Sequence, residues 1–275
     1  MDDRKWSKVP GIPADVFLAD MEDSVAPALK EGARERVTGL VRDPSFFEGR
    51  EFICRPNNIF SPWGLADIEA LAAVQAPFIL YPKARSAGEL REVFAIFERA
   101  GSRPEIQVIV ETPEAVLRLE EIAAAPGVGG LLFGPGDLSL ETGTDLLDGD
   151  TFFSDGFLYA RTKTLTTARA FGLEATEGIF VANLKDADEV RRSALRSKKF
   201  GFSGNMLIYP PHVPVVNEVR TPSPEQLERA ERVVREYDLG RAEGKNAVTM
   251  QDGTWVTIHQ YRGAQELLAQ AGVTA

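Results

Sequence analysis

The chain has 275 residues, 44 % of them hydrophobic, with a formal charge of −10 and a single cysteine. That length fits one large α/β barrel or two smaller domains, and the acidic balance excludes nonspecific nucleic-acid binding, which needs clustered Lys and Arg. The lone Cys54 excludes an internal disulfide, no run could span a membrane, and the polar start MDDRKWSK without a signal core points to a cytoplasmic setting.

Taken in chain order, the predicted strands are DVFLAD (15–20), EFICR (51–55), PFILYPK (77–83), IQVIVE (106–111), GGLLFG (129–134), TEGIF (176–180) and NMLIYP (205–210). Between them run amphipathic stretches: PALKEGARERVTGLVR, SAGELREVFAIFERAG, TPEAVLRLEEIAAAPG and LKDADEVRRSALRSKKFG. Several close on Gly or Pro, as helix ends do. The strands are apolar throughout rather than alternating, the mark of a parallel sheet covered by helices. Seven strand–helix units point to a TIM (β/α)8 barrel, and the lack of a GxGxxG or Walker glycine pattern weakens an open doubly wound sheet.

One strand is missing from that count. MDDRKWSKVPGIPA, ahead of DVFLAD, is a poor strand, so either the first strand lies upstream or the barrel is incomplete. Residues 1–238 are assigned to the barrel, ending in the helix TPSPEQLERAERVVREYD. Residues 239–275 are assigned to a cap or lid: a linker, a small hairpin turning at Asp252-Gly253, and a last helix, YRGAQELLAQAG.

Charged residues end several of the apolar strands, and in a β/α barrel that end is the catalytic mouth. VFLAD runs into Asp20, Glu22 and Asp23; EFICR ends in Arg55; FILYP runs into Lys83; QVIV ends in Glu111; GPGDLS carries Asp137. Glu111 and Asp137 come from adjacent strands. Two carboxylates without a nearby His or Cys suit Mg2+, which keeps positions open for water and substrate oxygens. Arg55 then faces a carboxylate or a developing enolate oxygen. Glu22 and Asp23 orient that arginine or the waters of the metal.

Each has a plainer alternative. Asp23-Ser24 before Pro27 could cap a helix, GPGDLS could be an ordinary turn, and Lys83 could pack its stem and pair with a neighbour rather than act as a nucleophile. His212 and His259 are assigned structural or surface places.

FLADMEDSVAP, RPNNIFSPWGLADIEAL, ILYPKARSAGEL, VIVETPEAVLRLEEIAA, LLFGPGDLSLETG and GFSGNMLIYPPHVPVVNEVRTPSPEQLERA resemble, in order, the motifs of the citrate lyase β-subunit-like family of the HpcH/HpaI aldolase superfamily, which includes malyl-CoA and citramalyl-CoA lyases. The resemblance implies a TIM barrel, usually trimeric, that breaks or forms a carbon–carbon bond beside a CoA-type thioester, with a keto acid as product or partner. It implies Mg2+ on Glu111 and Asp137, Arg55 on the substrate carbonyl, Glu22 and Asp23 in support, and Arg55, Lys83, Pro135 and Gly136 around the substrate.

The sequence also departs from that family. It has no counterpart of the first strand and its Pro-Gly loop, the family's Ile-His-Pro-Ser-Gln reads Ile208-Tyr209-Pro210-Pro211-His212, and the usual Lys is Asn205. In the tail, Thr257 stands where many family lyases carry an Asp that serves as acid or base in a neighbouring subunit. A hydroxyl is far too weak an acid for that exchange. Two alternatives therefore stand beside a thioester lyase: a metal-dependent aldolase on a free 4-hydroxy-2-keto acid, and a catalytically weakened barrel that binds a ligand or partner.

Overall fold

The computed structural model describes residues 8–148, 151–152 and 155–272. The chain forms two compact units, Met1–Val216 and Asn217–Ala275.

The first unit is built on a seven-stranded sheet. Its strands are β1 (Val16–Asp20), β2 (Glu51–Arg55), β3 (Phe78–Tyr81), β4 (Glu105–Val110), β5 (Val128–Phe133), β8 (Glu174–Gly178) and β9 (Gly204–Met206); the short pair β6 (Leu147–Asp148) and β7 (Thr151–Phe152) forms a separate antiparallel ribbon. Every pairing in the large sheet is parallel, and each strand lies beside the next one in sequence. A doubly wound sheet would reverse its strand order at a switch point; this one does not. It is a curled sheet of TIM-barrel type, with β1 and β9 as its edges among the described residues.

Helices cover it: α1 (Lys30–Arg42), α2 (Gly64–Ala73), α3 (Ala87–Arg99), α4 (Pro113–Leu117), α5 (Leu119–Ala123), α6 (Pro135–Thr142), α7 (Leu158–Phe171) and α8 (Ala187–Phe200); a further helix, α9 (Val213–Arg220), contains the boundary between the units. Helix α3 illustrates the local logic. The Ser86 hydroxyl caps it by accepting from Glu89 N–H, Leu90, Val93 and Phe97 form its buried stripe, and Gly101 at φ 77° ends it. The single helix expected over TPEAVLRLEEIAAAPG is broken at Arg118 into α4 and α5.

Side chains alternate between the two sheet faces. Ile53, Leu80, Ile109 and Leu132, one from each of four neighbouring strands, pack into one buried layer with Phe78 and Met206 against it. Counting two residues on from Ile53 gives Arg55, and from Ile109 gives Glu111. The charged groups of the mouth therefore form the layer above an apolar floor.

Several expected strands are shorter than their apolar runs. FILY ends at Tyr81, before Lys83; NMLIYP pairs only through Met206, and Pro210–His212 turns into a 3-10 helix. Proline lacks the N–H that continued pairing requires.

In the second unit, α10 (Pro224–Ala242) and α11 (Ile258–Gln270) pack through Val233, Val234, Tyr237, Ala264 and Leu268, with Val256 fully buried among them. Strands β10 (Val248–Thr249) and β11 (Trp255–Val256) form the expected hairpin, with Gly253 at φ 83°. The unit thus takes in the long helix that sequence patterning assigned to the barrel, because that helix buries its apolar stripe against α11. Among the described residues no helix is long and apolar enough to cross a membrane.

Candidate active site

Asp20 and Arg55 end adjacent strands in the same register. Arg55 Nε and Nη2 each donate to Asp20 at 2.7 Å, one to each carboxylate oxygen, and Nη1 lies 3.4 Å from Glu22 Oε2. Burial alone would raise the Asp20 pKa, but the Arg55 hydrogen bonds and charge, with help from Ser24 and the Glu22 N–H, hold it below the usual carboxylate range. Burial alone would lower the Arg55 pKa, whereas Asp20, Glu22 and Glu111 raise it. The guanidinium is a fixed positive charge at the mouth.

Lys83 is the hub of the site. Its backbone sits at φ +52°, the left-handed region that few non-glycine residues adopt. This turn aims its N–H at Glu111 Oε1, 2.7 Å away, and Asn58 Nδ2 donates to its carbonyl at 3.1 Å. The ammonium reaches Asp23 at 2.8 Å and Asp137 at 3.1 Å, and also bonds Glu22. Burial works against its charge, but these three carboxylates more than compensate and raise its pKa.

Glu111 is buried, and its pKa is pushed up to about 8: burial is the main cause, with the negative charges of Asp137 and Glu22 adding to it and the Lys83 N–H opposing. Asp137 lies in the first turn of α6, whose N-cap is Gly134. A Cβ at Gly134 would stand 2.6 Å from Ile109 Cγ2 and 3.2 Å from Glu111 Oε2, so only glycine admits Glu111 there.

These contacts join four carboxylates to two cations, and a fifth, Glu111, to the main-chain N–H of Lys83. Negative charge is in excess, and Glu111 bears the cost. A divalent cation relieves such a site. Among the described residues no three His, Cys, Asp or Glu side chains gather as a complete ligand set. The donors fit magnesium, which binds through one or two carboxylates and fills its other positions with water or substrate.

Behind the mouth lies a support that sequence patterning missed. The buried Lys30 ammonium donates to Met21 O, Glu22 O and Asn57 Oδ1 at 2.9, 2.8 and 2.7 Å, and sits 5.0 Å from the Trp63 ring centre. Asn57 Nδ2 in turn donates to Met21 O and to the fully buried Asp67, which also holds Arg34. The cluster fixes the turn that carries Glu22 and Asp23. One signal for it was present: Lys30 occupies the apolar stripe that continues through Ala33 and Val37.

The remaining expected residues fall as follows. Asp23 is 63 % exposed and reaches Lys83; it caps no helix, since the N-cap of the following 3-10 turn is Ala26, and Asp20 instead accepts from the Ser24 N–H. Pro135 opens α6, and Gly136 lies against Phe180, whose ring a Cβ would meet at 3.1 Å. Asn205 Nδ2 donates to Glu177 O and Ser197 Oγ; His212 is buried, its Nε2 bonded to Leu184 O. Thr257 is the N-cap of α11, forming a capping box with Gln260.

Residues 3–210 match the family described as HpcH/HpaI aldolase/citrate lyase. The chain is 31 % identical over 275 residues to a (3S)-malyl-CoA thioesterase of Cereibacter sphaeroides, covering 99 % of this chain and 92 % of that protein. It is 28 % identical to the mitochondrial citramalyl-CoA lyase of Rattus norvegicus, over 98 % of this chain and 83 % of that one. Among solved structures, protein CitE from Mycobacterium tuberculosis in complex with magnesium, acetoacetate and coenzyme A superposes with a TM-score of 0.81 at 28 % identity, covering 98 % of this chain and 94 % of that one. The match spans every strand of the large sheet: this chain belongs to the HpcH/HpaI aldolase/citrate lyase family, whose members include lyases.

Proposed function

We propose that the protein is a Mg2+-dependent carbon–carbon lyase that cleaves, or forms by condensation, a short β-hydroxyacyl thioester carried on coenzyme A. The observation that carries this reading is the convergence on Lys83: its main chain holds Glu111 and its ammonium holds Asp137, beside the Asp20–Arg55 pair. Glu111 and Asp137 would hold the metal, and magnesium, when bound, supplies Lewis-acid polarisation of keto-acid oxygens.

The chain's own residues account for the rest. In the cleavage direction the hydroxyl proton passes to a base, a carboxylate of the mouth or a water. The carbon–carbon bond breaks toward the thioester with its electron pair moving onto the thioester carbonyl oxygen, and the enolate carbon then takes up a proton to give the acyl thioester. Arg55 meets the negative charge that develops on that oxygen. Asp20 occupies one edge of the guanidinium and locks its plane, so no reorientation is needed as charge appears. Glu22 and Asp23 anchor Lys83, and Pro135 and Gly136 line the approach. Purified protein incubated with malyl-CoA or citramalyl-CoA and Mg2+ is expected to release a keto acid. No release from either, in either direction, sinks the reading.

A second reaction is supported by the (3S)-malyl-CoA thioesterase relative and by Thr257, which spends its hydroxyl on a helix cap. Hydrolysis liberates a free CoA thiol, whereas carbon–carbon cleavage leaves the thioester intact. A thiol reagent therefore separates the two in one assay.

The reading extends to a cytoplasmic homo-oligomer, a trimer, in which residues 239–275 act as a cap or lid, as the family resemblance implies. Light scattering after gel filtration tests it, and a monomer at all concentrations overturns it.

A further inference from the structure

We propose, on the strength of the metal assignment above, that Lys83 is an exchangeable counter-cation: a divalent ion arriving at Glu111 and Asp137 displaces its ammonium from Asp137, so Lys83 sets how tightly the site holds metal. The two halves of this residue are built for different tasks. Its backbone is pinned, with the N–H on Glu111 and the carbonyl under Asn58 Nδ2. Its side chain is a flexible stem, 32 % exposed, ending in a point charge on Glu22, Asp23 and Asp137.

A metal ion on Asp137 and an ammonium 3.1 Å from the same carboxylate repel each other strongly, even with protein screening. Arg55 cannot yield, because two bonds to Asp20 fix it. Lys83 can: Glu22 and Asp23 keep its ammonium when Asp137 is given up, and its N–H goes on orienting Glu111. Lys83 is thus a positioning residue for one ligand through its main chain and a competitor at the other through its side chain.

Mn2+ serves as the probe in binding titrations of the full chain, followed by the electron spin resonance signal of free Mn2+. Lys83→Met is expected to bind Mn2+ at least about tenfold more tightly than the native protein, and Lys83→Arg, which keeps the charge, no more tightly. Equal or weaker binding by a folded Lys83→Met, with binding abolished in Asp137→Asn, overturns the competition while leaving the metal site standing. No Mn2+ binding by the native protein or Lys83→Met overturns the metal assignment and this inference together. A crystal structure of the native protein with Mg2+ decides the matter independently of any variant. Lys83 Nζ beyond 3.5 Å from the Asp137 carboxylate supports displacement, and Nζ still bonded to it refutes it.

Discussion

Asp20 and Arg55 stand opposite each other on β1 and β2 and are joined by two parallel hydrogen bonds of 2.7 Å. A lysine cannot reproduce that fork. Arg55→Lys is expected to keep the fold and lose about 10²–10³-fold in kcat, the usual effect of removing a preorganised donor to a developing oxyanion. Asp20→Asn should lose activity in the same direction, because the guanidinium loses its orientation. Steady-state kinetics with a CoA thioester, alongside circular dichroism, checks both.

Glu111 and Asp137 have the simplest prediction. Glu111→Gln and Asp137→Asn are each expected to abolish Mg2+-dependent activity, and isothermal titration calorimetry should find weakened metal binding in both. A chelator should silence the native enzyme, and excess Mg2+ should restore it.

The raised pKa of Glu111 also makes folding depend on pH. In the metal-free folded chain its proton is held up to about pH 8, against an ordinary value of 4.5. Between those limits the native state binds more protons than the unfolded one, so stability falls as pH rises and levels off above 8. Asp20, shifted the other way, loses its stabilising contribution only in stronger acid, below this window. Urea denaturation of the metal-free protein between pH 5 and 8 is expected to show the decline, and Glu111→Gln to flatten it.

Lys30→Met tests the support behind the mouth. Three acceptors, Met21 O, Glu22 O and Asn57 Oδ1, lose a buried donor. A stability loss of about 2–4 kcal/mol is expected, together with lower activity as the turn bearing Glu22 and Asp23 loosens. Chemical denaturation and kinetics on the same preparation report the two effects separately.

Gly134→Ala puts a methyl group 2.6 Å from Ile109 and 3.2 Å from Glu111. Overpacking of this kind costs about 1–3 kcal/mol. Because Glu111 is among the displaced atoms, metal affinity is expected to fall too, which a clash elsewhere in the core would not produce.

The gathering of charges in the candidate site was largely legible because apolar strands that stop at a charge leave few other places for it. Ile53 to Arg55 and Ile109 to Glu111 are each one step along a single face, and alternation alone carries that. Lys83 was legible as a residue but not as a hub, since its reach depends on a positive φ at a non-glycine position and on partners many residues distant. The Lys30 cluster stayed hidden because lysine is a good helix former and its burial is decided by Asn57 and Trp63, contributed by another segment. Helix α7, LYARTKTLTTARAF, has a weak stripe by sequence; its Arg161 turns inward to pair with Glu177 of β8, with the Phe200 ring 4.1 Å from the guanidinium. Charge at a helical position reads as surface unless its distant partner is known.

Thr257 opens α11 through its hydroxyl, which accepts from the His259 N–H. Aspartate opens helices about as well as threonine. The Thr257 hydroxyl also donates to Gln260 Oε1, a bond that an ionised aspartate, an acceptor only, cannot make. The hydroxyl of Thr257 is therefore committed to opening the helix, and any change at position 257 is read first as a change in how α11 begins.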